Sequence, residues 1–220
     1  SKLYNKLQEL FSKKNCIVFL NRSDEYFSVT NGLSLDEHVE IQKELESSFD
    51  IKLSMSIGYG ENPYDANLDA YEAKKTQKFL NEKYSIFGTL NGHSEHSVTI
   101  MHLDVDDITS IRKKSMSPYD TSSLMFKIYS RMSEYFLSKN SLTFFMGGDN
   151  FMVVSNSQHK INAHEFIDQI KDEMNLFLNC GIGISKTGRN AAKLATKSLD
   201  TIREIRDSGK EKPQVYEMKW

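Results

Sequence analysis

Met146-Gly147-Gly148-Asp149-Asn150-Phe151-Met152-Val153-Val154-Ser155-Asn156 reads as a strand end, a glycine turn and a second strand. Shifting the sequence by 125 residues lays Asn21-Arg22-Ser23-Asp24-Glu25-Tyr26-Phe27-Ser28-Val29-Thr30-Asn31 over it. The same shift puts Ser56-Ile57-Gly58-Tyr59-Gly60 on Gly181-Ile182-Gly183-Ile184-Ser185, Ala66 on Ala191, Ala70 on Ala195 and Phe11 on Phe136. These matches in one ungapped register mark two copies of a single supersecondary unit.

Each copy has the same coarse order. Leu3, Leu7, Leu10 and Phe11 recur at helical spacing, as do Met125, Ile128, Tyr129, Met132 and Phe136. Two strands joined by a polar turn follow: Cys16 to Leu20 with Tyr26 to Thr30, and Leu142 to Met146 with Phe151 to Ser155. A second helix is expected from Ser34 to Ser48 and from Asn162 to Asn175. Ser34 and Asn162 are read as N-caps, and Ser34-Leu35-Asp36-Glu37 has the shape of a capping box. A third strand (Lys52 to Ile57, Leu178 to Ile184), a glycine turn and a third helix complete the order. The second copy also opens with a strand, Ser97 to Asp104, and closes with one, Gln214 to Met218. The counterpart of Asp104 in the first copy falls before Ser1, so that copy is expected to lack its leading strand. The reading is α+β, two βαββαβ units with antiparallel sheets, at 1–85 and 96–220, with residues 81–96 as a polar linker.

Hydrophobic residues make up 39% of the 220, enough for a packed core, and a net charge of −2 excludes a broad basic face for nucleic acid. No apolar stretch reaches the roughly 18 residues a membrane helix needs. Cys16 and Cys180 each lie in an apolar run, so both read as small buried hydrophobes in a reducing, cytoplasmic setting.

Chemistry concentrates in the second copy. In Ile100-Met101-His102-Leu103-Asp104-Val105-Asp106-Asp107-Ile108-Thr109 an apolar strand ends in carboxylates, where α/β sheets place ligands. Gly147 and Gly148 supply the backbone freedom for a tight hairpin with Asp149 at its tip. Alone, Asp149 is a turn residue and Asp104 a solvated strand end; together across neighbouring strands they need a cation. Mg²⁺ suits two carboxylates, a carbonyl such as that of Val105, and nucleotide phosphates. The Asp107-Ile108-Thr109-Ser110 backbone opens a strand-to-helix connection whose N–H groups can cradle phosphate. Ser117 and Pro118 start the long helix; Asp120 is either an acid at its positive end or a carboxylate for the guanine N1–H and N2–H₂. Lys186, Arg189 and Lys193, at the start of the last helix, are candidate triphosphate contacts, though a solvated helix start explains them nearly as well. His102, inside an apolar strand, reads as a core histidine and not as a catalyst.

These motifs resemble the palm-type core shared by nucleotidyl and diguanylate cyclases, and more closely the archaeal GTP cyclohydrolase III family. The matching blocks are Leu103 to Thr109, Ser117 to Thr121, Phe144 to Met152 and Gly181 to Thr187, together with Val29-Thr30-Asn31-Gly32. Diguanylate cyclases usually carry Glu where Asn150 stands, which disfavours that alternative. The resemblance implies two tandem ferredoxin-like domains and hydrolysis of GTP to a formylaminopyrimidine ribonucleoside monophosphate and pyrophosphate, feeding flavin and deazaflavin synthesis. It implies Mg²⁺, two ions, with a monovalent cation such as K⁺ assisting, and a homo-oligomer, dimer or tetramer. It implies that Asp104 and Asp149 hold metal beside Asn150, that Asp107 to Thr109 and Gly148 meet phosphates, and that Asp120 reads guanine. The other readings are a nucleotidyl cyclase using the same aspartates and a guanine-nucleotide sensor without turnover. Departures from the family pattern are Arg22-Ser23-Asp24-Glu25 in the first hairpin, which has no glycine pair, and Ser185-Lys186 in place of Gly-Arg.

Overall fold

The computed structural model describes residues 1–90, 97–106, 108 and 116–220. It is a mixed α+β structure, with six α-helices among the described residues. The chain divides into two compact units, Ser1–His96 with Thr187–Arg189, and Ser97–Lys186 with Asn190–Trp220.

The first unit runs α1 (Lys2–Lys13), β1 (Ile17–Arg22), β2 (Glu25–Val29), α2 (Leu35–Ser48), β3 (Met55–Ile57), α3 (Pro63–Lys75), β4 (Phe79–Asn81) and β5 (Ile86–Gly88). Its core gathers the helical stripe Leu7, Leu10 and Phe11 with Cys16, Val18, Leu33, Ile41 and Leu45. The Ser34 hydroxyl accepts from the Glu37 N–H while Glu37 accepts from the Ser34 N–H, closing the expected capping box. The strands form two sheets, a β1–β2 hairpin and a three-stranded sheet in the order β3-β5-β4. Two expectations are corrected here. The third strand covers only Met55–Ile57 and does not begin at Lys52. Residues 81–96 are not a simple linker, because β5 lies within them, parallel to β3, with Ile86 fully buried. Its apolar run is so short that the polar flanks mask it.

The second unit runs β6 (Val98–Val105), α4 (Pro118–Ser138), β7 (Leu142–Gly147), β8 (Asn150–Ser155), α5 (His159–Met174), β9 (Leu178–Ser185), α6 (Gly188–Asp207) and β10 (Val215–Lys219). The sheet order is β10-β9-β6-β8-β7. β6 is its middle strand and is antiparallel to both neighbours. Alternation splits β6 between two layers. Met101, Leu103 and Val105 enter a core with Ile128, Met132 and Phe136 of α4 and Phe166, Ile167 and Ile170 of α5. His102 and Asp104, on the opposite face, meet Thr196 and Arg203 of α6.

Glycine lets α6 approach that face. A Cβ on Gly183 would stand 2.0 Å from the Ala191 carbonyl oxygen and 2.4 Å from the Ala195 nitrogen. In the first unit a Cβ on Gly58 would stand 1.9 Å from the Ala66 oxygen and 2.5 Å from the Ala70 nitrogen. The helix after β8 corrects one expectation: it starts at His159, and Asn162 is buried within it and does not cap it. His159 Nδ1 lies 3.1 Å from the Asn156 carbonyl, which anchors the earlier start. Among the described residues no helix is long and apolar enough to cross a membrane.

Candidate nucleotide site

The β7–β8 hairpin turns through Gly148 and Asp149, with Gly147 opposite Asn150. Gly147 and Gly148 hold φ values of +97° and +63°, a region that disfavours side chains. Asp149 is therefore at the hairpin tip, as its sequence context requires. β8 then pairs with β6 so that Asn150 faces Asp104 directly across the ladder. Register alone thus brings the two halves of the site to one end of the sheet.

Asp104 is 4% exposed and does not stand alone. Its Oδ1 accepts from Asn179 Nδ2 at 3.0 Å, and its Oδ2 accepts from Arg203 Nη2 at 2.6 Å and Nε at 3.2 Å. Arg203 also reaches Asp200 Oδ1 at 3.0 Å. Burial works against the Arg203 charge, yet Asp104 and Asp200 outweigh it and hold the guanidinium above its ordinary pKa. Asp106 meets Lys212 Nζ at 2.9 Å and Arg206 Nη1 at 3.2 Å, and accepts from Asn179 at 3.2 Å. Burial would raise its pKa, but Lys212, Asn179 and Arg206 together hold it below the usual carboxylate value. Lys212 Nζ also donates to Asn179 Oδ1. The sheet end is thus a mesh of acids and cations tied through one asparagine.

Asp149 and Asn150 are linked by Asn150 Nδ2 donating to Asp149 Oδ1 at 3.1 Å. Asn150 Oδ1 lies 3.0 Å from His102 Nε2. Burial pushes His102 below its ordinary pKa, against the opposing effect of Asn150 and Asp104, so the ring is neutral at physiological pH.

The oxygen donors at this end suit a hard divalent cation in kind. Asp149 is partly exposed, and its only hydrogen bond among the described residues comes from the Asn150 amide. Asp104 has already spent three of its roughly four lone-pair positions on Asn179 and Arg203, so a cation there shares the carboxylate with Arg203. The described residues include no group of three or more His, Cys, Asp or Glu side chains able to hold a metal. Two carboxylates completed by water and phosphate are nonetheless a donor set that Mg²⁺ accepts.

The remaining candidates separate. Ile108 packs its side chain against the core, whereas Asp107 and Thr109 lie outside the described residues. Asp120 closes a capping box: its Oδ2 accepts from the Ser117 N–H at 3.1 Å and the Ser117 hydroxyl at 2.6 Å. Those bonds hold its carboxyl below its usual pKa. Lys186, Arg189 and Lys193 lie apart from Asp104. β9 runs antiparallel to β6, pairing Asn179 with Asp104 and Ser185 with Val98. Lys186 therefore follows the far end of the strand, seven residues past Asn179 and so about 23 Å from Asp104 at about 3.3 Å per residue. Arg189 and Lys193 lie in the first two turns of α6, whereas Arg203 lies near its C-terminal end. The cations at this end of the sheet are Arg203 on Asp104 and Arg206 and Lys212 on Asp106, which sequence reasoning missed; Arg203 and Arg206 are spaced i,i+3 on the last turns of α6, and that spacing was the available signal.

The family model for GTP cyclohydrolase III matches residues 1–216. The GTP cyclohydrolase III of Methanothermobacter thermautotrophicus is 34% identical over 92% of this chain and 82% of its own length. That of Methanococcus vannielii is 30% identical over 100% of this chain and 82% of its own. Among solved structures, an EAL/GGDEF domain protein from M. capsulatus is similar with a TM-score of 0.44 at 17% identity, covering 58% of this chain and 88% of that one. With the family model running through both units and the site residues inside the match, the chain belongs to the GTP cyclohydrolase III family.

Proposed function

We propose that this enzyme opens the imidazole ring of GTP at the sheet end defined by Asp104, Asp149 and Asn150. Water adds at C8 of guanine and the ring opens with the formyl group retained. A second water cleaves between the α and β phosphates and releases pyrophosphate. The observation that carries this reading is the β6–β8 register, which sets Asp104 opposite Asn150 inside a family match covering residues 1–216.

The roles follow from charge and burial. Arg203, Arg206 and Lys212 form a cationic wall suited to a polyphosphate, and the fork of Arg203 also fixes the buried Asp104 carboxylate. Asp149 and Asn150 present a carboxylate and an amide at the hairpin tip, able to orient an attacking water. Asp120 keeps Oδ1 outside its capping box, where it can accept from the guanine N1–H. Asp104 and Asp149, with the Val105 carbonyl, would hold Mg²⁺, which supplies positive charge to the phosphate oxygens when bound. The reading includes two tandem ferredoxin-like halves, supported by the matching helix approaches at Gly58 and Gly183, 125 residues apart. It includes assembly of several copies, which light scattering on the purified chain reads directly.

Incubation with GTP and Mg²⁺ tests the reaction. Loss of the purine absorbance with one pyrophosphate per turnover is expected, and Asp149→Ala abolishes it. An unchanged purine spectrum sinks the reading. A cyclic nucleotide among the products would assign the same aspartates to a cyclase, and GTP binding without turnover would make the chain a sensor.

A further inference from the structure

His102 is buried in β6, yet its ring joins two other elements. Nδ1 lies 3.1 Å from Thr196 Oγ1 on α6, and Nε2 lies 3.0 Å from Asn150 Oδ1 on β8. Asn150 passes the connection on through Nδ2 to Asp149 Oδ1 at 3.1 Å. The protons of this chain can be assigned from its acidic end. A carboxylate accepts, so the Asn150 NH₂ group faces Asp149 and the amide oxygen faces His102. A carbonyl oxygen accepts as well, so Nε2 carries the ring proton. Nδ1 is then a bare lone pair, and the Thr196 hydroxyl is its donor.

We infer that His102 is a positioning residue: held by Thr196 as the Nε2–H tautomer, it fixes the Asn150 amide so that its N–H group anchors the Asp149 carboxylate. A buried histidine needs partners for its own sake. What points beyond packing is that both nitrogens are committed, to different elements, and that the chain ends on the residue pair at the hairpin tip. The inference rests on the reading that Asp149 and Asn150 belong to the reacting site.

The test uses the full chain with GTP and Mg²⁺. His102→Gln retains an N–H donor for Asn150, His102→Leu removes it, and Thr196→Val removes the donor to Nδ1. His102→Leu is expected to lower kcat by about tenfold to a hundredfold with KM within about twofold, while His102→Gln recovers to within about fivefold of the parent. Thr196→Val falls between them. Parent-like kcat in His102→Leu, or a Gln variant as slow as the Leu variant, overturns the inference. Histidine ¹⁵N spectra of the parent, with His102 assigned by its loss in the Gln variant, give an independent readout should the Leu variant fail to fold. A protonated Nε2 with a bare Nδ1 is expected, and a protonated Nδ1 overturns the inference. That spectrum needs no turnover, so a chain that leaves GTP intact sinks the functional reading and leaves the inference to the spectrum.

Discussion

Asp104 is a buried carboxylate whose charge is met mainly by one arginine, and that makes Arg203 the most exposed point of failure in the site. Among the described residues, Arg203→Ala leaves the carboxylate with only the Asn179 amide. Removing one partner of a fully buried pair costs about 3–5 kcal/mol; with Arg203 36% exposed, water screens the pair and about 2 kcal/mol is expected. Arg203→Lys keeps the charge but loses the two-pronged contact, so it should melt close to the parent while KM for GTP rises. Equal KM values for the parent and both variants would remove Arg203 from the phosphate wall. The cysteines give a pH prediction. Burial, with the Glu37 charge adding to it, pushes the Cys16 thiol up to about 12, and burial raises Cys180 as well. At pH 8 roughly one Cys16 in ten thousand is then thiolate, so iodoacetamide should label neither cysteine until the chain is unfolded. The folded pKa is raised, so the stabilisation is complete below the ordinary thiol value of 9.0 and declines as pH climbs towards 12. Rapid native labelling at pH 8 would refute this. Asp104, Asp149 and Asn150 were legible because each sits where local rules apply, a strand end and a glycine turn. Arg203, Arg206 and Lys212 were not, because basic residues on the last turns of a helix and in the loop after it look solvated until the register of β6 and β9 sets them against Asp104 and Asp106.

At the scale of elements, α6 covers the polar face of β6 only because β9 carries glycine where it crosses. Gly183→Ala would drive a methyl group into the Ala191 carbonyl and the Ala195 nitrogen, both backbone atoms that cannot swing aside. A loss of about 2–3 kcal/mol is expected, the upper end for overpacking. Because α6 carries Thr196 and Arg203, activity should fall with stability. Gly58→Ala makes the same clash against Ala66 and Ala70 in the first unit. It should lower the melting of that unit while leaving the Asp104 mesh intact. Thermal denaturation with GTP turnover separates the two cases; equal loss of activity in both variants would contradict the assignment of the site to the second unit. Two caps were readable from sequence, Ser34 with its Glu37 box and Ser117, because capping works between residues three apart; the closing of the second box by Asp120 and the burial of Asn162 inside its helix were not. β5 was not. Its Ile86 is fully buried through long-range pairing with β3, and three residues carry no periodicity to read.

At the scale of the whole molecule, the two units differ in how their strands are flanked. β6 has β8 on one edge and β9 on the other, so the strand carrying Asp104 is paired along both sides. In the first unit β2 pairs only with β1, and β3 only with β5, among the described residues. The cores follow suit: every residue of β6 and β9 is buried, whereas every residue of β2 is partly exposed. Amides opened by local fluctuation exchange at a rate set by the free energy of that opening, which is least where few contacts must break. The β2 and β3 amides should therefore exchange about thirtyfold or more faster than those of β6 and β9, a difference of about 2 kcal/mol in opening. Hydrogen–deuterium exchange with peptide resolution measures this in a single experiment. Repeating it with GTP and Mg²⁺ should slow exchange at the C-terminal end of β6, the β7–β8 tip and the last turns of α6. The start of α6, with Lys193, should be unaffected. Protection at Lys186 and Lys193 instead would move the triphosphate to the opposite end of the sheet, and with it the reading of Asp104 as the centre of the site.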